Sequence, residues 1–201
     1  MQRTAFILQA RPGRKDAARA AVRGAADALR ALAKDVGADN FSMWAVEDLL
    51  YGYAECTGGA GDMQPVWSLL GKVLAGEADG LCAPGTMRLM YHDIGIVRAD
   101  KSLIRHRVFS TRLKPGCAEE YKRRHDGLIA ARGDTVSEGP DSNFTIWYGE
   151  GIIFGYCEKV NSFDRPMTEQ ERQDTIAWET RQLEIMDWLT GEKHEAMRRI
   201  V

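Results

Sequence analysis

The chain has 201 residues and a formal net charge of −2, from 27 Lys and Arg against 29 Asp and Glu. Neither sign of charge forms a long run, which argues against nucleic acid or an anionic membrane as a partner, and no stretch approaches the roughly 20 apolar residues of a membrane span. The amino-terminal apolar run is too short for a signal peptide. Four cysteines without a C-x-x-C spacing favour reduced thiols, so we expect a soluble, cytoplasmic protein.

The first predicted elements are a strand and a long helix. Ala5–Ala10 is a short apolar run followed by a Pro-Gly pair, as expected for a strand and a turn. Apolar residues then recur at helical spacing over Arg14–Val36, and a glycine follows where a helix commonly stops. The same order recurs 103 positions later, with a strand over Val108–Leu113 and a helix over Cys117–Arg132.

A predicted two-stranded hairpin comes next, and its sequence occurs twice. Asn40–Glu55 is NFSMWAVEDLLYGYAE, and Asn143–Glu158 is NFTIWYGEGIIFGYCE, 103 positions further on. Seven of the sixteen aligned pairs are identical: Asn40/Asn143, Phe41/Phe144, Trp44/Trp147, Glu47/Glu150, Gly52/Gly155, Tyr53/Tyr156 and Glu55/Glu158. The sequence therefore predicts an internal duplication, with a first repeat over 1–103 and a second over 104–201.

The later elements complete a β-α-β-β-α-β order in each repeat. A capping box begins a second helix over about Thr168–Leu189, with Asp62–Ala78 as its counterpart, and Met87–Tyr91 and Met197–Val201 are predicted as last strands. This order is ferredoxin-like, and it leaves one face of the sheet uncovered. We expect an α+β fold in which the two repeats form one pseudo-dimeric α/β barrel, with the crossover over His92–His106.

The two long helices differ at two aligned positions. Ala18 and Val22 of the first correspond to Tyr121 and His125 of the second. Residues four apart lie on one helix face, and in the first repeat this face carries packing residues. Burial of an imidazole and a phenol without partners costs on the order of a few kcal/mol, so both a satisfied core pair and a functional pair remain open. The second repeat is the candidate for a site, and the first is predicted to be non-catalytic.

These residues resemble the L-rhamnose mutarotases, small dimeric ferredoxin-like proteins that interconvert sugar anomers. The first repeat resembles the family in AFILQARPG and in GADNF and LLYGYAE. The second carries the motif E-Y-x-x-R-H-[ND] in Glu120, Tyr121, Arg124, His125 and Asp126. The resemblance implies a catalytic pair in which His125 transfers a proton and Tyr121 binds the sugar.

The second repeat departs from the family pattern at several positions. Typical members continue the helix with Ile-Trp-Pro-Glu, where this chain has Leu-Ile-Ala-Ala at 128–131, and they tend to have Tyr where this chain has Phe144. Of a late Trp-Trp pair, one residue is retained. The predicted substrate-binding residues are Trp178, Phe144, Arg124, Trp147, Tyr156 and Arg112. Trp147 and Tyr156 also have counterparts in the first repeat, which favours a packing role for them.

Anomer exchange requires a base for the anomeric hydroxyl and an acid for the ring oxygen. A neutral histidine has one donor and one acceptor nitrogen and a pKa near 6.5, so it can act in either direction. Positioned acid–base catalysis contributes a factor of about 10²–10⁴ in rate. The prediction is an aldose mutarotase without a metal or organic cofactor, which acts on a small molecule as a monomeric pseudo-dimer or as a homodimer.

Two alternatives remain open. A cofactor-independent monooxygenase or isomerase of the same barrel superfamily would use an aromatic pocket and one histidine on a phenolic or polyketide substrate. A binding or regulatory domain would use a similar pocket without turnover.

Overall fold

A computed structural model describes residues 2–136, 141–161, 166–189 and 197–201 of the chain. Over these residues, ten strands form two antiparallel five-stranded sheets. Five α-helices accompany them. The chain divides into two compact units, Met1–Met87 with His194–Val201, and Arg88–Lys193. Within the described ranges, none of the helices combines the length and the apolar character needed to cross a bilayer.

The first repeat supplies the helices and most strands of the first unit. Its elements in chain order are β1 Gln2–Ala10, α1 Lys15–Gly24, α2 Ala26–Asp35, β2 Ala38–Val46, β3 Leu49–Cys56, α3 Gln64–Val73, β4 Ala78–Cys82 and β5 Arg88–Asp93. The first four strands lie in the order β4-β1-β3-β2. The core of this unit lies between the sheet and its helices and is apolar.

The second repeat has the same order of elements, except that the single helix α4 takes the place of α1 and α2. Its elements are β6 Ile104–Leu113, α4 Ala118–Arg132, β7 Asp141–Gly149, β8 Ile152–Val160, α5 Glu169–Gln182, β9 Met186–Trp188 and β10 Arg198–Arg199. Four strands lie in the order β9-β6-β8-β7, which matches that of the first unit. This strand order with two intervening helical segments is ferredoxin-like, so the prediction of an α+β fold with two ferredoxin-like repeats is confirmed. Closure into one barrel and the repeat boundary at residue 103 stay predictions.

Each repeat gives its last strand to the sheet of the other repeat. β5 pairs with β7, and β10 pairs with β2, where the adjoining Ile200 and Val201 are buried in the core of the first unit. The assignment of Met87–Tyr91 and Met197–Val201 as the fourth strands of their own repeats is therefore wrong. The fourth strands are β4 and β9, which are too short and too mixed in polarity to show a strand pattern. The predicted crossover His92–His106 is shorter, because its ends belong to β5 and β6.

Two predicted helices have different bounds in the structure. The helix predicted over Arg14–Val36 consists of α1 and α2, separated at Ala25, whose φ of −97° and ψ of 3° lie outside the α region. The helix predicted to reach about Leu189 ends at Gln182, because the chain turns there into β9. The helix predicted over Cys117–Arg132 is confirmed as α4.

The identical residues of the two hairpins stabilise a β-bulge. The register of β2 and of β7 shifts beside an asparagine in the left-handed conformation, Asn40 at φ 51° and Asn143 at φ 52°. The side-chain amide of Asn143 donates to Glu158 Oε1 at 2.9 Å, and the Tyr156 hydroxyl donates to the same oxygen at 2.9 Å. The first repeat makes the same two bonds at 3.0 and 3.1 Å. Three of the seven identities therefore have a structural cause.

Packing against a phenylalanine ring explains why the aligned pair Gly52 and Gly155 is identical. A Cβ atom on Gly52 would overlap the ring of Phe6, and one on Gly155 would overlap the ring of Phe109. Each phenylalanine lies on the neighbouring strand directly opposite its glycine. In both units, therefore, a phenylalanine ring lies directly over the backbone of a glycine on the sheet face that meets the helices.

We expect Gly52→Ala to lower the free energy of unfolding by about 1–3 kcal/mol, because the added methyl group must displace the Phe6 ring from a packed core. Gly127→Ala is the matched control, since a Cβ there meets no atom within 4 Å, and alanine should stabilise the helix by about 0.5–1 kcal/mol. Urea unfolding of both variants measures the difference. Equal effects of the two substitutions would contradict the packing role of Gly52.

Candidate functional site

Two side chains of α4 lie in the interior of the second unit. Tyr121, 2 % exposed, and His125, 5 % exposed, are the buried residues of this otherwise polar helix. Their rings stack, with centroids 4.2 Å apart and an interplanar angle of 30°. Tyr121 also packs against the apolar residues of the second sheet. The pair thus lies between α4 and the sheet.

The His125 imidazole has a defined tautomer. Its Nδ1 lies 2.9 Å from the backbone carbonyl oxygen of Tyr121. Because a carbonyl oxygen only accepts hydrogen bonds, we assign the proton to Nδ1, which leaves a lone pair on Nε2. Burial lowers the pKa of His125 below its usual value, against smaller opposing effects from the Tyr121 carbonyl and the Asp126 carboxylate. The ring is therefore a neutral base near pH 7.

Aromatic side chains from three further elements extend the site from His125. Tyr91 on β5 and Trp178 on α5 each meet the imidazole edge to face, with centroids 5.4 and 5.3 Å away. Phe144 on β7 lies 5.2 Å from the Tyr91 ring and 6.2 Å from the Phe109 ring. These rings present flat apolar surfaces beside one basic nitrogen, an arrangement suited to a small molecule with apolar faces.

Sequence reasoning does not identify Tyr91, because it lies on the strand that the first repeat gives to the second sheet. The Tyr91 hydroxyl donates to Asp93 Oδ2 at 3.4 Å, and Asp93 forms an ion pair with Arg132 of α4. Burial, together with the negative charge of Asp93, raises the pKa of Tyr91 to about 12. Tyr91 is therefore a protonated phenol whose position is fixed by a charged pair.

Arg124, a predicted substrate-binding residue, is occupied by contacts within the protein. Its Nε donates to Glu120 Oε1 at 2.7 Å and its Nη2 donates to Glu184 Oε2 at 2.8 Å. Its Nη1 donates to the backbone carbonyl of Arg181. These contacts join α4 to the end of α5, the helix that carries Trp178. Arg124 thus fixes the distance between the two helices that supply the site.

The other predicted residues lie away from His125. By the register of β6, β7 and β8, Trp147 and Tyr156 lie on the sheet face opposite to Phe109. Trp147 donates to a threonine hydroxyl at 3.1 Å, and Tyr156 donates to the bulge carboxylate. Arg112 is exposed at the end of β6. The predicted residues that the structure brings together are His125, Tyr121, Trp178 and Phe144.

The opposite face of the second sheet contains a half-buried ion pair. Lys101 Nζ donates to both carboxylate oxygens of Glu158, at 2.8 and 2.9 Å. Burial alone would raise the pKa of Glu158, but the hydrogen bonds from Lys101, Asn143 and Tyr156 bring the pKa below its usual value. This carboxylate is therefore ionised and saturated with donors. In the part of the chain that the structure describes, no cluster of three His, Cys, Asp or Glu residues is arranged to bind a metal ion.

Fold and site together define a protein of two ferredoxin-like units, one of which encloses a neutral imidazole among aromatic rings. Residues 106–200 match the family model described as L-rhamnose mutarotase. The predicted resemblance to that family is thereby confirmed for this part of the chain, which contains Tyr121, His125, Phe144 and Trp178 but not Tyr91.

Among curated proteins, none matches this sequence. Among solved structures, the chain is similar to the crystal structure of a "Putative monooxygenase" from Fusobacterium nucleatum subsp. nucleatum, with 9% sequence identity and a TM-score of 0.48. That similarity covers 99% of this chain and 92% of the other.

We expect Arg124→Lys to lower the free energy of unfolding by about 1–3 kcal/mol, because one ammonium group cannot replace a guanidinium that bonds two carboxylates and a carbonyl. Arg123→Lys is the matched control, since Arg123 is exposed and its bonds to described residues go to Glu120 on the same helix. Its effect should stay within about 0.5 kcal/mol. Urea unfolding of the two variants tests the contact, and a tolerated Arg124→Lys would argue against it.

Proposed function

We propose that the second unit is an aldose mutarotase in which His125 is the general acid and base. The observation that carries this proposal is the neutral imidazole with its proton on Nδ1, which directs the Nε2 lone pair away from the helix backbone. The match of residues 106–200 to the L-rhamnose mutarotase family supports the same reaction. L-Rhamnose, or an aldose of similar shape, is the proposed substrate.

The proposed reaction opens and closes the sugar ring. Nε2 of His125 accepts the proton of the anomeric hydroxyl, the bond between C1 and the ring oxygen breaks, and the same nitrogen returns the proton to the ring oxygen. The product is the open-chain aldehyde, which turns about the C1–C2 bond and closes on the other face by the reverse steps. Because the proton is taken up and released by one group, the reaction is balanced without a redox partner. Positioned proton transfer of this kind accounts for a rate factor of about 10²–10⁴.

The neighbouring side chains have separate proposed roles. Burial raises the pKa of Tyr121 far above its usual value, so its hydroxyl stays protonated and donates to a sugar oxygen. Trp178, Phe144 and Tyr91 supply rings against which the C–H faces of a sugar pack.

The side chains at the equivalent positions of the first repeat support a purely structural role for that repeat. Ala18 and Val22, the counterparts of Tyr121 and His125, are fully buried in its hydrocarbon core. This comparison supports one site per chain, in the second repeat.

We expect His125→Ala to reduce anomer exchange of L-rhamnose by about 10²-fold or more, because the proton-transferring nitrogen is removed. Exchange NMR on the native chain and the variant measures this rate. His92→Ala, which removes an exposed histidine of β5, is the control and should leave the rate unchanged. His125→Gln, which preserves more of the buried volume, serves as a second variant.

Equal exchange rates for the native chain and both His125 variants would refute the proposal. Oxygen uptake with phenols, in the absence of sugar exchange, would instead favour the monooxygenase alternative.

The pH dependence of the reaction should follow His125. Because burial lowers its pKa, the ring stays neutral at and somewhat below the usual imidazole pKa of about 6.5. We therefore expect kcat/KM to be constant near neutral pH and to fall only under more acidic conditions, where Nε2 becomes protonated. Exchange rates measured across this range test the sign. A profile that rises as the solution is acidified would contradict the role of the neutral imidazole.

A further inference from the structure

The strand pairing in the two sheets shows which residues of the two repeats are equivalent, even where the repeated sequence has ended. The offset of 103 equates Ala10 with Leu113, and these residues pair with Ala78 and Met186 respectively. Ala78 and Met186 are 108 positions apart. The adjoining backbone bonds have the same offset: Arg11 N to Glu77 O at 2.8 Å, and Lys114 N to Ile185 O at 2.9 Å. The end of α3 is therefore equivalent to the end of α5 at an offset of 108.

This alignment equates Gln182 with Leu74 and Trp178 with Leu70. Both leucines are fully buried in the hydrocarbon core of the first unit. On the facing strand, the offset of 103 equates Thr111 with a leucine, Leu8, of the same core. Together with Tyr121 and His125, four polar residues of the second unit thus replace four buried apolar residues of the first.

Gln182 and Thr111 are buried but lack hydrogen-bond partners. Gln182 is 3 % exposed and Thr111 is 1 % exposed. Neither Nε2 nor Oε1 of Gln182, nor Oγ1 of Thr111, has a partner among residues 2–136, 141–161, 166–189 and 197–201. Each such group costs about 1–3 kcal/mol when it stays unsatisfied. Since the first unit has leucine at both positions, the fold itself does not require these polar groups.

Both residues belong to the same side of the second sheet as His125. Gln182 follows Trp178 by one helical turn, so the two side chains share a face of α5, and Trp178 contacts the His125 ring. Thr111 is paired across strands with a residue of the apolar cluster that includes Tyr121. The unsatisfied groups and the candidate base are therefore directed at one region between the helices and the sheet.

We propose that Gln182 and Thr111 bind hydroxyl groups of the substrate away from its anomeric carbon, and that they select a polyhydroxylated ligand. This inference rests on the proposed function and names the residues that determine its specificity. A primary amide has two donor hydrogens and one acceptor oxygen, which match two neighbouring sugar hydroxyls, and the threonine hydroxyl adds a further donor and acceptor. A polycyclic phenol would leave these groups unpaired, and sites with unpaired buried polar groups discriminate strongly against such ligands.

The test replaces each residue by its counterpart in the first unit, as Gln182→Leu and Thr111→Leu. Titration calorimetry measures the binding of L-rhamnose and of its 2-, 3- and 4-deoxy analogues to the native chain and to each variant. We expect Gln182→Leu to weaken the binding of L-rhamnose about tenfold, through loss of hydrogen bonds, without lowering Tm. The deoxy analogue that lacks the recognised hydroxyl should bind the native chain more weakly than L-rhamnose does. The substitution Gln182→Leu should not weaken the binding of that analogue any further.

Gln173→Leu is the matched control, because Gln173 is an exposed glutamine of the same helix whose side chain bonds to Glu169, one turn away on that helix. Its affinity for L-rhamnose should equal that of the native chain. Gln182→Met, with a side chain of similar length, is the second variant if leucine prevents folding.

The proposal is overturned if neither substitution at Gln182 or Thr111 changes the affinity for any of these sugars, if only Tm changes, or if the native chain binds none of them. A change in Tm alone is the result expected for a structural role. Sugar binding that depends on Gln182, without accelerated anomer exchange, would refute the proposed mutarotase activity but support this inference. The two proposals can thus fail separately.

Discussion

Buried hydrogen-bonding groups need partners, and the two sheets meet this requirement alike on one face and differently on the other. On the face away from the helices, a glutamate of each sheet accepts hydrogen bonds from an asparagine and a tyrosine, so the same carboxylate is bound in the same way in both units. On the helix face the first unit has apolar side chains. The second unit has Thr111 and Gln182 there, whose side chains lack partners among the described residues, and the His125 ring. The side chains that the two repeats share stabilise the fold, and those in which they differ form the candidate site.

Much of the fold is predictable because its strongest signals are local. The repeated hairpin and the helix over Cys117–Arg132 follow from periodicity and turn residues, which depend on near neighbours in the sequence. β4 and β9 have no such signal. β4 has five residues and β9 has three, both of mixed polarity, and they become strands only because they pair with β1 and β6, respectively. The exchange of β5 and β10 is also absent from the pattern, because a repeat shows which residues are equivalent and not which sheet they join.

The candidate site is only partly predictable for related reasons. Tyr121 and His125 can be identified because the first repeat has Ala and Val at the same positions, which serves as an internal comparison. Tyr91 cannot, since its strand belongs to the other repeat in sequence. Gln182 is hidden by the five additional residues that shift the offset from 103 to 108, so that a fixed alignment compares it with the wrong residue. Trp147 is aromatic, but strand alternation places it on the other face.

The strand exchange also bears on how the chain is made. A ribosome completes the helices and four strands of the first unit early, yet the edge of β2 stays unpaired until residues 198–201 have been synthesised. Ile200 and Val201, which fill the core beside that edge, arrive at the same late moment. An unpaired strand edge can form hydrogen bonds with the strands of other chains, which leads to aggregation. The first unit is thus completed only after most of the second repeat has been synthesised, and removal of residues 198–201 would leave the edge of β2 unpaired.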